Sequence, residues 1–366
     1  MNPVPITSDE ALASAAERLA AAPRIALDTE FMRERTYYAE LAFVQLADAD
    51  EVTLVDPLAG LDRGRLAALL GVPGQVKVLH AARQDIEVLL PLTGAPLGPV
   101  LDTQLAAALI GAPAQVGYGD LIASELGLAL DKSQARTDWT RRPLSPAQLQ
   151  YACEDVRWLL PLAARLEERL AALGRLAWFQ EDSARLADPA LYRTSPADAW
   201  QRFKACETLP PREQLRLRAL AAWREARAMR RNLPRGWVLA DEALRALARA
   251  APKTPAAIAA LNVMAPGAVE KLAAEMLAAL AAAEAEPLDG IVQRRDERPP
   301  PEERARLERL GAALKAVAKE LKVAPEVLAT QRDLRRIVRG ERVDAVLAGW
   351  RCAVLGTPLA EAARRG

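Results

Sequence analysis

One histidine, His80, and three cysteines, Cys153, Cys206 and Cys352, are all that a chain of 366 residues offers in soft or imidazole ligands. No Cys-x-x-Cys pair occurs. A zinc site of the Cys/His type therefore lacks a ligand set, and a Ser-His-Asp triad would have to rest on His80 alone. An odd number of widely spaced thiols fits a reducing compartment, so the expected setting is cytoplasmic, with the thiols buried and inert. No apolar run reaches the roughly 18 residues of a membrane span. The opening segment "MNPVPITSDEALASAAERLAAAP" carries early acids and no basic leader, and is expected to be a folded start without membrane association. Nor is there an excess of charge of one sign, the formal net charge being +1.

What is present is unevenly distributed. Residues 1–150 carry 12 Lys and Arg against 19 Asp and Glu, whereas residues 206–250 carry 10 Arg against 5 acids. An arginine-rich helical stretch is either a solvated face or a surface that contacts phosphates. With 51% hydrophobic residues over this length, two or three domains with sizeable cores are expected. Residues 24–29, 41–47, 52–58, 76–82 and 100–104 read as strands, the second and third joined as a hairpin across Asp48-Ala49-Asp50. Helices are expected at 62–70, at 83–91 stopped by Pro91, after the fifth strand to Gly111, and as one long helix from the Ser145-Pro146 cap to Gly174. A hairpin followed by alternating strands and helices gives an α/β sheet of mixed pairing. Beyond residue 205 the strand signal stops. Two helical stretches follow, each a helix, a loop with Pro234 or Pro325, a short apolar stretch and another helix, about 90 residues apart. Trp223 and Trp237 read as core residues of the first.

The chemistry sits in acids. "LDTEF" ends the first strand with Asp28 and Glu30, two residues apart and so on one face. Like charges held so close need a neutralising partner. Asp85 opens the helix after the fourth strand, and Tyr151 and Asp155 share a face of the long helix at i and i+4. A pair of Mg²⁺ or Mn²⁺ ions would accept four convergent carboxylates and clamp a phosphodiester between them. Tyr151 could orient or deprotonate the attacking water, although a phenol with an ordinary pKa of about 10 makes a demanding base.

The strings "LDTEFMRERTYYAELAFVQLAD", "VLHAARQDIEVL", "LDTQLAAALIG" and "KSQARTDWTRRPLSPAQLQYACEDVRWL", in this order, resemble the exonuclease motifs of the DEDD superfamily in its tyrosine-bearing branch, and more narrowly the ribonuclease D family. The two helical stretches are similar to HRDC domains. The resemblance implies an α/β ribonuclease H-like exonuclease domain, a mixed five-stranded sheet flanked by helices, over 1–190. A connection at 191–207, a first HRDC-like domain at 208–285, a linker at 286–303 and a second HRDC-like domain at 304–366 would follow. It implies a metal-dependent 3′→5′ exoribonuclease releasing nucleoside 5′-monophosphates, acting on transfer RNA precursors and other small structured RNAs, with no obligate protein partner. Asp28, Glu30 and Asp155 would hold the metal that activates water, Asp28 and Asp85 the second, and Tyr151 would position the nucleophile. A DNA-directed 3′→5′ exonuclease and a catalytically inactive nucleic-acid-binding scaffold are the alternatives.

Several further residues could serve this site. His80 is a strand-end structural residue or a support near the metals, and Asp102 caps the next helix or steadies the ligands from behind. Phe31 could pack on the terminal bases or into the core. Lys132, Arg136, Arg141 and Arg142, with Trp139 among them, form a basic loop with an aromatic ahead of the catalytic helix, suited to phosphate contact and base stacking. Arg224, Arg227 and Arg231 recur at helical spacing and are expected to contact RNA.

Overall fold

The computed structural model describes residues 4–131, 133–134, 137–204, 206–289, 291 and 300–364. Among them one sheet forms, from β1 (Arg24–Met32), β2 (Glu40–Ala47), β3 (Val52–Val55), β4 (Val76–Leu79) and β5 (Val100–Asp102), in the order β3-β2-β1-β4-β5. β2 and β3 pair antiparallel, with Val44 opposite Val55, while β4 runs parallel to both β1 and β5. The expected mixed sheet and its hairpin are therefore present. Ile25, Ala26 and Leu27 are fully buried, as are Ala42, Phe43 and Val44, so the centre of the sheet is covered on both faces.

The helices of this part are α1 (Asp9–Ala20), α2 (Arg63–Leu70), α3 (Arg83–Thr93), α4 (Thr103–Leu109), α5 (Tyr118–Leu126), α6 (Pro146–Arg157), α7 (Leu159–Ala172) and α8 (Leu176–Arg185). α3 runs through Pro91 and ends at Gly94, whose φ of 73° is the left-handed conformation glycine accepts. Pro91 lies in the last turn, where one missing bond is tolerated, so the expected stop at Pro91 was two residues early. The expected single helix over 145–174 is two. α6 starts on a capping box between Ser145 and Gln148, but Trp158 adopts φ −103°, ψ −1° and separates it from α7. Pro161 explains the break: it has no N–H for the carbonyl of Arg157, and its ring crowds that carbonyl.

The remaining helices are α9 (Pro211–Arg231), α10 (Arg235–Val238), α11 (Asp241–Ala250), α12 (Pro255–Ala260) and α13 (Pro266–Ala285), then α14 (Pro301–Leu321), α15 (Pro325–Leu328), α16 (Gln331–Val338), α17 (Val343–Val346) and α18 (Gly349–Arg364). Starts at 211, 235 and 241 recur at 301, 325 and 331, an offset of 90, and both long helices end on a residue at positive φ, Asn232 and Lys322. By internal contacts the described residues divide into two compact units. One lies within Met1–Met32, Leu41–Leu191 and Pro299–Gly366, the other within Arg33–Glu40 and Tyr192–Arg298. In the first, a single core joins Ala26, Val78 and Leu101 of the sheet to Leu162 and Leu166 of α7 and onward to Leu310, Leu334 and Leu355. In the second, Leu217 and Leu220 of α9 pack with Leu244, Ile258 and Met276. Trp223 is half-buried there, but Trp237 is 62% exposed, against the expectation that both are core. The reason is local: α10 is a single turn, and Val238, not Trp237, points inward. Cys153 and Cys206 are buried, while Cys352 is only half-buried.

Candidate active site

Only the first residues of β1, Arg24 to Ala26, pair with β4. Asp28 and Glu30 follow on the part of the strand that runs beyond β4. The pleat puts these two on one face and turns Thr29 to the other. α6 packs against both β1 and β3 and brings Asp155 to the same place. Carboxylate oxygens of Asp28, Glu30 and Asp155 all lie within 4.8 Å of one another. Asp85, in the first turn of α3, is buried and outside that trio, and accepts the Thr29 hydroxyl at 2.6 Å. Tyr151, one helical turn before Asp155, sets its hydroxyl against that carboxylate.

Electrostatics describe a cluster that wants a cation. Burial raises the Asp28 carboxyl well above its ordinary range, and Asp85, Asp155 and Glu30 raise it further. Burial, then Asp155 and Asp85, push Glu30 up to about 9. Burial first takes Asp85 and Asp155 to about 7 each, against the lowering effect of the Thr29 and Tyr151 hydroxyls respectively. Among the described residues no Lys or Arg ion-pairs with any of the four. Four acids gathered without a basic side chain, offering oxygen donors only, fit a hard divalent cation. The phenol of Tyr151 is raised by burial and by Asp155, Glu30 and Asp28, so it stays protonated and can donate.

The surroundings hold these groups in place. His80 Nε2 lies 3.0 Å from the Val116 carbonyl and Nδ1 2.9 Å from the Thr103 hydroxyl. In the neutral ring Nε2 donates to the carbonyl, while the Thr103 hydroxyl faces both Nδ1 and the Leu79 carbonyl, 3.1 Å away. Burial lowers the imidazole pKa, which suits that neutral form. His80 therefore ties the end of β4 to α4 and to the segment before α5. Asp102 caps α4 through Gln104 N at 2.8 Å and also accepts Ala81 N and Ala82 N, at 3.0 and 2.9 Å. Ala81 sits at φ 57°, a left-handed conformation costly for alanine, in the turn that delivers α3 and Asp85. Asp102 thus caps α4 and holds the turn that leads into α3. Two residues escaped the sequence reading. Thr29 was hidden as a mere spacer between acids. Tyr118, whose ring centroid is 5.6 Å from that of His80 and whose phenol is raised by burial and then by Asp155 and Asp28, had no pattern to mark it.

The expected RNA-contact set divides. Lys132 and Arg136 lie outside the described residues. Trp139 is only 1% exposed, stacked on Phe43 and tilted against Tyr151, each at 6.1 Å between centroids. It is a core residue behind Tyr151 and is not placed to stack on a base. Arg142 forks onto Asp56 at 2.5 and 2.7 Å and bonds the carbonyls of Ala42 and Trp139, so its role is structural. Arg141 is exposed, and Phe31 is half-buried beside Glu30. Arg224 is buried, held by the Leu239 carbonyl and Asp241 at 2.7 Å each, and leaves the stripe. Its spacing was helical, but it faces the inside of its unit. Arg227 pairs with Glu275, and Arg231 is exposed.

A family model described as a 3′-5′ exonuclease matches residues 3–171, and one described as the HRDC domain matches residues 213–280. The chain is 43% identical over 368 residues to ribonuclease D of Gluconacetobacter diazotrophicus, covering 97% of this chain and 91% of that one. It is 41% identical over 361 residues to ribonuclease D of Acidiphilium cryptum, with the same coverage. The crystal structure of Escherichia coli RNase D, an exoribonuclease involved in structured RNA processing, superposes with a TM-score of 0.86 at 32% identity, covering 99% of this chain and 98% of that one.

Proposed function

Because the chain belongs to the ribonuclease D family and is a hydrolytic 3′→5′ exoribonuclease that uses divalent metal, we propose that two Mg²⁺ or Mn²⁺ ions serve its acidic cluster and that its substrates are transfer RNA precursors and other small structured RNAs with single-stranded 3′ ends. The observation that carries the metal reading is the approach of Asp28, Glu30 and Asp155 to within 4.8 Å with no basic side chain, among the described residues, to neutralise them. Asp28, Glu30 and Asp155 would hold one ion, and Asp28 with Asp85 the other. When bound, the cations supply Lewis-acid polarisation of the phosphoryl group, a more acidic water and charge stabilisation at the leaving oxygen.

The chain's own groups do the rest. Tyr151, kept protonated, donates to Asp155, and its oxygen would orient the attacking water by accepting from it; Trp139, with Phe43 stacked behind, backs its ring. Thr29 fixes Asp85, and Asp102 fixes the turn before it. Phe31, half-buried and next to Glu30 in the chain, would pack on the terminal nucleotide, and Arg141, an exposed cation, would contact a phosphate. Gripping a free 3′ end and splaying its last nucleotides suits a single strand, so paired stems should stall the enzyme. A cytoplasmic setting belongs to the same reading. Among the described residues no helix is long and apolar enough to cross a membrane.

The test uses matched RNA and DNA oligonucleotides with Mg²⁺, Mn²⁺ or EDTA, some blocked at the 3′ end. RNA shortened one nucleotide at a time, with loss of activity in EDTA and on the blocked strand, is expected. Equal digestion of DNA would favour a DNA-directed exonuclease, and binding without cleavage a scaffold.

A further inference from the structure

We propose that α9, α10 and α13 carry a base-stacking subsite for single-stranded RNA, built on Trp237. It rests on the RNA-trimming function above and concerns a surface of the second compact unit, whereas the acidic cluster is in the first. Trp237 is 62% exposed on a four-residue helix, while its neighbour Val238 is buried. Its backbone is set by a bond from Trp237 N to the Pro234 carbonyl at 2.9 Å. The ring is thus an exposed plane on a fixed turn.

Beside it opens a cavity of about 400 Å³, lined by Arg231, Leu233, Val238, Gly267 and Lys271 among others. Leu233 and Val238 make an apolar floor. Arg231 ends α9 and Lys271 stands in the second turn of α13, both exposed, and neither has a carboxylate partner among the described residues. Arg227, also at the cavity, is neutralised by Glu275. An exposed indole next to two unpaired cations on different helices matches a nucleotide: the base offers a π face to the ring and the backbone offers phosphates to the cations. Stacking of this kind tolerates any base, as an enzyme that consumes one nucleotide after another requires. Gly267 lines the same cavity, and a Cβ there would meet nothing within 4 Å, so the position accepts a side chain.

The test uses the full chain in EDTA, with a labelled single-stranded RNA of about 20 nucleotides followed by fluorescence anisotropy. Trp237→Ala should weaken binding about tenfold, and Trp237→Phe should restore most of it. Gly267→Leu, which adds bulk to the lining at a position where a Cβ is accommodated, should weaken binding to a similar degree. Lys271→Gln should lower the slope of log K against log salt by about 0.7, the share of one phosphate contact on a single strand. With Mg²⁺ restored, hydrolysis of a dinucleotide should match the parent in all of these variants. Parent-like RNA binding by Trp237→Ala and Gly267→Leu overturns the subsite and returns the patch to protein contact. Equal loss of dinucleotide hydrolysis in Trp237→Ala also overturns it, because the ring would then be acting through the fold. If the parent itself fails to shorten the labelled single-stranded RNA once Mg²⁺ is restored, it is the exonuclease reading that falls.

Discussion

Asp155 is the residue on which charge and function oppose each other most directly. It shares a half-buried space with Asp28 and Glu30, and its carboxyl is pushed by burial to about 7. Asp155→Asn removes one like charge, so the metal-free protein should gain stability, an increase in apparent Tm of roughly 2 °C in EDTA. The same variant should retain RNA binding and lose turnover by more than about 100-fold, since loss of a partner merely behind a ligand already costs 10–100-fold. A variant that turned over like the parent would remove Asp155 from the site. The pH dependence has a definite sign. Glu30, Asp85 and Asp155 have carboxyls raised to about 9, 7 and 7, so the apo fold binds more protons than the unfolded chain. Its stability is therefore fully present below the unfolded carboxyl values of about 4 and declines as pH rises from there through about 7 and on to about 9. A divalent cation must displace those protons, so its apparent affinity should fall below pH 7 and its binding should release protons. Calorimetry in buffers of different ionisation enthalpy reads that release, and an affinity flat from pH 6 to 8 would contradict it. Tyr151→Phe should reduce kcat with KM little changed, and should leave no altered limb in the pH profile near the ordinary phenol value of about 10.

At the scale of elements, the segment between β1 and β2 has a use that its sequence conceals. Arg33–Glu40 belongs to the helical unit. Asn232, at φ 49° where α9 ends, accepts both Tyr37 N and Tyr38 N, at 3.1 and 3.0 Å. Tyr37 donates its hydroxyl to Glu225, and Arg235 forks onto Glu225 while lying 4.5 Å from the centre of the Tyr37 ring. Burial alone would raise the Glu225 carboxyl; the hydrogen bonds from Arg235 and Tyr37 overcome that and hold it below its ordinary value. A lowered carboxyl contributes stability above the unfolded value of about 4.3 that is lost as pH falls through the folded one. Glu225→Gln should accordingly cost about 3 kcal/mol at pH 7, the low end for a broken pair because Arg235 keeps some water, and should flatten without abolishing the pH dependence of this unit's unfolding between about 3 and 5, since Trp223 and Arg227 also hold Glu275 low and Arg216 holds Glu284 low. Chemical denaturation followed across that range would show it. None of this was legible beforehand. Tyr37 and Glu225 are 188 residues apart, and neither stands in a periodic pattern. What could be read was local: the Asp28–Glu30 spacing on a strand, the Tyr151–Asp155 spacing on a helix, the hairpin and the 90-residue duplication. Trp139 and Arg224 were misjudged for the same reason. A loop composition or helical stripe shows which residue types are near one another, and only tertiary packing decides which of them reach water.

The whole molecule raises the question of why two helical repeats with matching starts belong to different compact units. The second repeat continues the core of the sheet-bearing part, where Trp178 stacks on Trp350 at 4.5 Å between centroids and 6° between planes. Asp182 receives the Arg351 fork and the Trp350 indole N–H, and Arg175 bonds the carbonyls of Leu109 and Leu321. The first repeat instead holds Arg33–Glu40 and builds its own core. One position tests whether the C-terminal helices complete the catalytic fold or merely rest on it. Gly349 opens α18 at φ 57°, and a Cβ there would fall 1.7 Å from Glu181 Oε1. Glu181 cannot easily turn away, for it accepts Trp350 N at 3.0 Å and Arg185 Nη2 at 2.8 Å. Gly349→Ala therefore combines about 1–2 kcal/mol of left-handed backbone cost with the loss of the Glu181 contact. Hydrogen exchange in α18 and proteolytic nicking around residues 339–349 should both rise. If the C-terminal helices complete the catalytic fold, exchange in α8 and in α7, which packs on it, rises as well and RNA hydrolysis loses thermal stability, because Trp178 loses its stack on Trp350. If exchange changes in α18 alone, the shared core is a contact of convenience, and the exonuclease part stands without it.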